Sequence, residues 1–208
     1  MSEPERNVTL DRARRPKRCE VRARLIEGAA QAFAEKGFGG ASIDFICAQA
    51  GFSRGAFYSN FADKDALFFA LYEQRTDRLY ARLARIAAAA QAADDPMAQV
   101  SRELQEPDED ELRWDILNKE FIVHALRNDA ARARLLQSRA GSKARLAEIL
   151  KALRPELSDH PAQLDRMARL VIALHEGELT QLGLDPSLCA DKSLLAEVVP
   201  KILMAPLA

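Results

Sequence analysis

Three short patterns carry residue types that could do chemistry. Gly51-Phe52-Ser53-Arg54-Gly55 satisfies G-x-S-x-G, which in hydrolases sets a nucleophilic serine on a sharp strand-to-helix turn. His175-Glu176-Gly177-Glu178-Leu179 opens like the zinc-binding pattern H-E-x-x-H, but Leu179 stands where the second His must be. Glu120 and His124 lie at i, i+4, and His175 and Glu178 at i, i+3; helix-bundle di-metal sites need Glu-x-x-His, which this chain lacks. The serine chemistry needs a parallel sheet behind it, and no strand-like alternation of useful length occurs. Ser53 is therefore read as a helix cap. No catalytic residue, metal ligand or cofactor is expected.

The elements that must position Ser53 give the stretch its meaning. Ser42 caps a short helix whose Ile43, Ile46, Cys47 and Ala50 recur at helical spacing. Gly51 follows, where a chain leaving a helix often needs positive φ. Ser53 caps a second helix, with Phe52 and Phe57 at the two positions of a hydrophobic staple. Phe57 and Phe61 share its inner face at i, i+4. Arg54, Gly55, Ala56, Tyr58, Ser59 and Asn60 are left pointing outward. A short helix with a small, polar, Arg- and Tyr-bearing face, held across a Gly turn, describes a helix-turn-helix recognition helix. Arg54, in the first turn, is placed to read base edges.

At these residues the chain resembles the TetR family of bacterial regulators. The resemblance rests on Gly51, Ser53, Ala56, the Phe57-Tyr58 pair, Asn60, Phe61 and Lys64, and is strong from Arg22 to Leu71. The family often carries His where Asn60 stands. The resemblance implies an operator-binding repressor released by a small molecule, and a homodimer joined through its last two helices. Base reading falls to Arg54, Gly55 and Ala56. Phosphate contact falls to Ser42, Ser53, Tyr58, Asn60, Lys64 and Lys17. A palindromic double-stranded operator follows, because one such helix contacts too few bases alone.

Composition agrees with a globular, all-α chain. Of 208 residues, 48% are hydrophobic and 29% charged, with nine Gly and nine Pro. Thirty basic and 31 acidic residues leave a net charge of −1, which excludes a globally basic nucleic-acid binder but not a local basic patch. No segment reads as membrane-spanning or as a signal peptide. The three cysteines, Cys19, Cys47 and Cys189, are too scattered for a disulfide framework, and a cytoplasmic location is expected.

In chain order, residues 1–15 read as a disordered basic arm, 16–63 as the helix-turn-helix domain and 64–208 as a helical ligand-binding and dimerisation domain, about nine helices in all. Arg12, Arg14, Arg15, Lys17, Arg18, Arg22 and Arg24 form a basic run fit for phosphates or a minor groove. Gly37 closes the first helix, and Phe38 should pack back on Phe33. Asp63 caps a long helix from Lys64 to about Ala92 that enters both domains. The remaining helices run from Asp95-Pro96 to Gln105, from Asp108 to Arg127, from Asp129 to Leu153 with a bend near Gly141, from Pro161 to Leu182, and from Ala190 to Met204, where Pro200 kinks or ends the last.

Trp114, Leu117, Phe121 and His124, with Tyr72, are candidate walls of a pocket for a mainly apolar effector. Ala168, Val171, Ile172 and Leu179, with Leu194, Leu195, Val198 and Ile202, are candidate dimer contacts. Three readings therefore stand beside one another: a ligand-responsive repressor, a DNA-binding regulator that senses no ligand, and a helical-bundle enzyme using Glu120, His124, His175 or Glu178.

Overall fold

The computed structural model describes residues 17–105, 109–190 and 193–207; the expected arm at 1–15 lies outside them. The described residues form nine α-helices and two short 3-10 turns, without a strand. The helices are α1 (Arg18–Gly40), α2 (Ile43–Ala50), α3 (Arg54–Tyr58), α4 (Lys64–Gln91), α5 (Pro96–Glu103), α6 (Glu109–Leu126), α7 (Asp129–Leu153), α8 (Pro161–Leu184) and α9 (Leu194–Met204). The expected all-α architecture holds.

Local chemistry sets most boundaries. Ser42, Ser53, Asp63, Asp95, Asn128 and Ser193 each accept an N–H three residues on, so six helices start on a side-chain cap. Gly51 ends α2 at φ 70°. Gly37 breaks α1 at φ 68°, and the chain resumes helix to Gly40, four residues beyond the expected end. Helix α7 runs through Gly141 without interruption. Helix α8 runs through Gly183, and α9 through Pro200.

Two cores stack along α4. The first joins α1, α2 and α3 to the first half of α4 and reaches into α6 and α7 through Leu117, Phe121, Ala125, Ala131 and Leu135. Its centre is aromatic: Phe68 stacks on Phe121 with ring centroids 3.7 Å apart, and Phe38 meets Phe121 edge-on at 5.0 Å. Phe38 also lies 5.6 Å from Phe33, the expected return contact. The second core joins the far half of α4 to α5, α7, α8 and α9 around Val100, Leu150, Leu157 and Leu203. Gly28 sets the approach of α1 to α2: a Cβ there would stand 2.7 Å from the Ala50 Cβ and 2.8 Å from its backbone N.

Candidate nucleic-acid interface and ligand cavity

Helices α2 and α3 meet across Gly51 and leave one polar face to solvent. Phe57 is fully buried beneath it and fixes α3 in place. Above it Arg54 is exposed, with Nη1 3.2 Å from Asp44 Oδ2 and Nη2 donating to the Tyr58 hydroxyl at 3.5 Å. The Tyr58 contact, and then Asp44, raise the guanidinium's pKa further above its ordinary value. Gly55 is exposed, and Tyr58 keeps half its surface. This face offers a planar cation, a phenol and a bare backbone stretch side by side.

Other expected contact residues are engaged differently. The hydroxyls of Ser42 and Ser53 accept the N–H groups of Phe45 and Ala56. Lys17 precedes α1, and its backbone N–H donates to Glu20 at 2.9 Å. Ala56 and Asn60 are half-buried, not outward; the Asn60 amide donates to the Ala56 carbonyl at 2.8 Å. Lys64 departs furthest from expectation. Its ammonium turns inward, donating to the carbonyls of Phe38 at 2.6 Å and Ala41 at 3.1 Å, and burial pushes its pKa down. The end of α1 leaves carbonyls without helical partners, and a lysine within reach satisfies them. Three arginines of the basic run also hold structure. Arg18 donates to the Ser59 carbonyl and Arg24 to that of Ala50, while Arg22 covers the Phe61 ring.

The second feature is a cavity in two parts. An outer cleft of about 820 Å³ opens between α4, α6, α7 and α8, and an inner apolar void of about 110 Å³ lies between α4, α5, α7, α8 and α9. The two share Leu79, Tyr80, Arg82, Glu111, Ile172, His175 and Leu179. Trp114 and Tyr72 line the outer cleft as expected of pocket walls. Trp114 lies against Phe68, with Arg75 5.8 Å from its ring.

Phe121, Leu117 and His124 line neither part, and their assignment as pocket walls is corrected. Phe121 and Leu117 are buried in the first core, and the His124 Nε2 pairs with Asp65 at 3.0 Å. Phe68 closes that face of α6 two turns beyond Trp114, so the cavity reaches only the first half of the helix.

Several expected dimer contacts face inward instead. Ala168 and Leu179 are buried within the chain, and Val171, Ile172 and Leu195 line the inner void. Val198 and Ile202 are half-buried, and Leu194 is exposed. The apolar surface that α8 and α9 do present is Leu170, Leu184, Leu194 and Met204, at 50%, 83%, 40% and 71% exposure. Helical periodicity marks apolar positions but not which face the chain covers itself, so spacing alone does not separate Leu170, Leu184 and Met204 from their buried neighbours.

Among the described residues no three His, Cys, Asp or Glu side chains converge to hold a metal. Glu178 is buried and accepts the N–H groups of Leu194 and Leu195 at 2.5 and 3.2 Å, capping α9. Of the candidate catalytic residues His175 and Glu178 line the cavity, Glu178 with its carboxylate held by the start of α9; Glu120 and His124 are tied to α1 and α4. No helix of the described residues is long and apolar enough to cross a membrane.

Comparison with known proteins adds a lineage. The model described as bacterial regulatory proteins, tetR family, matches residues 25–71. The one described as BetI-type transcriptional repressor, C-terminal, matches residues 97–199. A helix-turn-helix transcriptional repressor of Mycobacterium tuberculosis is 42% identical over 64 residues, covering 31% of this chain and 34% of that protein. The match thus spans about a third of that relative. A transcriptional regulator of Rhodococcus sp. Rha1 has the same fold, with TM-score 0.62, 22% identity and coverage of 88% of this chain and 93% of that one. So does the multidrug-binding protein EbrR in complex with ethidium, with TM-score 0.63, 24% identity and coverage of 88% and 98%.

Proposed function

Because the chain belongs to the TetR family of bacterial regulatory proteins, we propose that it is a DNA-binding transcriptional repressor released from its operator by a small molecule. The observation that carries this reading is the exposed face of α3, where Arg54, Gly55 and Tyr58 face solvent over a fully buried Phe57. Such a face enters a major groove, with Arg54 offering the fork that pairs bidentately with guanine O6 and N7. Two copies joined through the exposed apolar residues of α8 and α9 present two such faces to a palindromic operator.

The cavity supports the sensing half of the proposal. It lies along α4, whose other end packs beneath the reading head, so one helix borders both sites. A ligand that binds better to one arrangement of α4 than another shifts the balance between DNA-competent and released forms. EbrR, a relative in fold, binds ethidium. Selection of bound duplexes from random DNA tests the first half: a palindromic consensus is expected, and recovery of random sequence would sink it. Release of that duplex by a compound that shifts Trp114 fluorescence tests the second. A protein that keeps its duplex against every cavity ligand is a regulator without an effector.

A further inference from the structure

We propose that the effector is an elongated amphiphilic anion, with a carboxylate or phosphate head in the outer cleft and an apolar tail in the inner void. This rests on reading the cavity as the effector site.

The charge of the outer cleft carries the head. Arg75, Arg78, Arg82 and Arg85 lie at i, i+3, i+7 and i+10 on α4, one face of a helix, and all line the cleft. Arg139, Lys143 and Arg169 line it from α7 and α8. The lining carboxylates are Asp110, Glu111, Asp115 and Glu176, and each already faces a cation. Glu111 pairs with Arg82 at 3.0 Å, Glu176 with Arg139 at 2.6 Å, Asp110 with Arg75 at 3.8 Å, and Asp115 with Lys119. Lys143 and Arg169 share one carboxylate, Asp165. Arg78 and Arg85 have no carboxylate within ion-pair distance among the described residues, and both are exposed to the cleft's solvent. A cationic ligand finds no uncommitted carboxylate there. An anion finds two uncommitted guanidinium groups, each able to hold two oxygens of a carboxylate or phosphate.

The inner void carries the tail. Its walls include Leu83, Ile86, Val100, Leu150, Leu153 and Val199, contributed by four helices. Away from the junction with the cleft the charged residue lining it is Glu178, whose carboxylate is already taken by the Ser193 hydroxyl and the N–H groups of Leu194 and Leu195. At that junction stand Tyr80, Arg82, Glu111 and His175. A ligand that spans both parts must be apolar at one end and charged at the other. A compact ion leaves the void unused, and a neutral hydrocarbon leaves Arg78 and Arg85 unmatched.

The test is titration of the full-length protein, followed by Trp114 fluorescence and calorimetry below micelle-forming concentrations. The probes are dodecanoate, dodecyl phosphate, dodecanol, dodecyltrimethylammonium and butanoate. Both dodecyl anions should bind saturably, one per cavity, at least tenfold tighter than the alcohol or the cation and far tighter than butanoate. The ratio between the two anions tells which head group the site prefers. Arg78→Glu with Arg85→Glu should raise the anions' Kd tenfold or more, with a melting curve like that of the parent; Arg78→Gln with Arg85→Gln should fall between. Leu83→Trp, which fills the void, should weaken the dodecyl anions and spare butanoate. Equal binding of the dodecyl cation, non-saturable uptake, or an unchanged anion Kd in the double variant would overturn the proposal. Tight anion binding without release of operator DNA overturns the effector reading alone. Release by a cation or alcohol with no anion binding overturns the ligand class alone.

Discussion

The Glu120 carboxylate accepts the backbone N–H of Phe38 at 2.5 Å, tying α6 to the turn that ends α1. Lys64, at the start of α4, grips the carbonyls of the same turn. The turn is therefore held by an anion on its donor side and a cation on its acceptor side. Gly37 makes room for it: at φ 68°, a Cβ there would stand 2.7 Å from the Glu120 Oε2. Phe38, between the two grips, rests on Phe68 and Phe121.

The clamp gives a first prediction. Glu120→Ala should lower stability by about 1–3 kcal/mol, because a charged acceptor leaves a part-buried N–H. Glu120→Gln should lose less, since its amide oxygen still accepts. Gly37→Ala should cost at least about 1 kcal/mol through its positive φ alone, and more through the Glu120 contact. In the double variant Gly37→Ala, Glu120→Ala the losses should be smaller than additive, because the clash disappears with the carboxylate. Thermal or urea melts read all four. Fully additive losses would show that the two residues do not meet.

How much of this could be read from residues alone divides along the chain. The caps Ser42, Ser53 and Asp63, the Gly51 turn and the buried Phe57 depend on neighbours within four residues, and each was legible. Lys64 was not. A lysine at a helix start suits phosphate equally well as orphan carbonyls, and the carbonyls it holds come from 23 to 26 residues earlier. The apolar face of α6 was visible, but Phe68 divides it into cavity wall at Trp114 and core at Phe121, a division made by another helix. Arg75, Arg78, Arg82 and Arg85 show a helical period, but an arginine stripe on its own reads as a solvated face, and only the helices packed around it make it a cleft wall.

Tyr80 yields a pH prediction. Burial pushes its phenol up to about 12 from an ordinary value near 10. The folded state holds the proton more tightly than the unfolded chain, so ionisation opposes folding. The stabilising term is complete below pH 10 and is lost as pH rises toward 12, worth about 2–3 kcal/mol in all. Tyr80→Phe should therefore flatten the fall in stability across that window and remove one late phenolate step in ultraviolet titration. An unchanged alkaline profile would mean that Tyr80 titrates in water.

The exposed apolar residues of α8 and α9 predict the assembly. Leu170 and Leu184 lie fourteen positions apart, close to four turns, and share one outer face of α8. Leu170→Arg with Leu184→Arg should leave the monomer's fold intact, because neither side chain is buried. Sedimentation of the parent at micromolar concentration should show a dimer, and of the variant a monomer with weakened operator binding. The variant Ala168→Arg is the control: its site is fully buried within the chain, so it should lower the melting temperature as well. A variant pair that still sediments as a dimer would place the interface elsewhere.

Arg54 and Lys64 separate reading from holding. Arg54 is exposed, tethered only by Asp44 and Tyr58, and free to exchange those partners for a base edge. Arg54→Ala should cost about 1–3 kcal/mol per guanine contact and relax preference at one position in each half-site. Lys64 is half-buried and its ammonium is engaged by carbonyls, so Lys64→Ala should act through stability. The melting temperature should fall, while the slope of log affinity against log salt stays near that of the parent. Had Lys64 held a phosphate, that slope would flatten by about 0.9 per contact, roughly 1.8 for a dimer. Binding to selected and scrambled duplexes across a salt series, measured well below each variant's melting temperature, separates the cases. A flattened slope with an unchanged melt for Lys64→Ala would return that residue to the DNA. Equal losses on both duplexes for Arg54→Ala would take base reading away from α3.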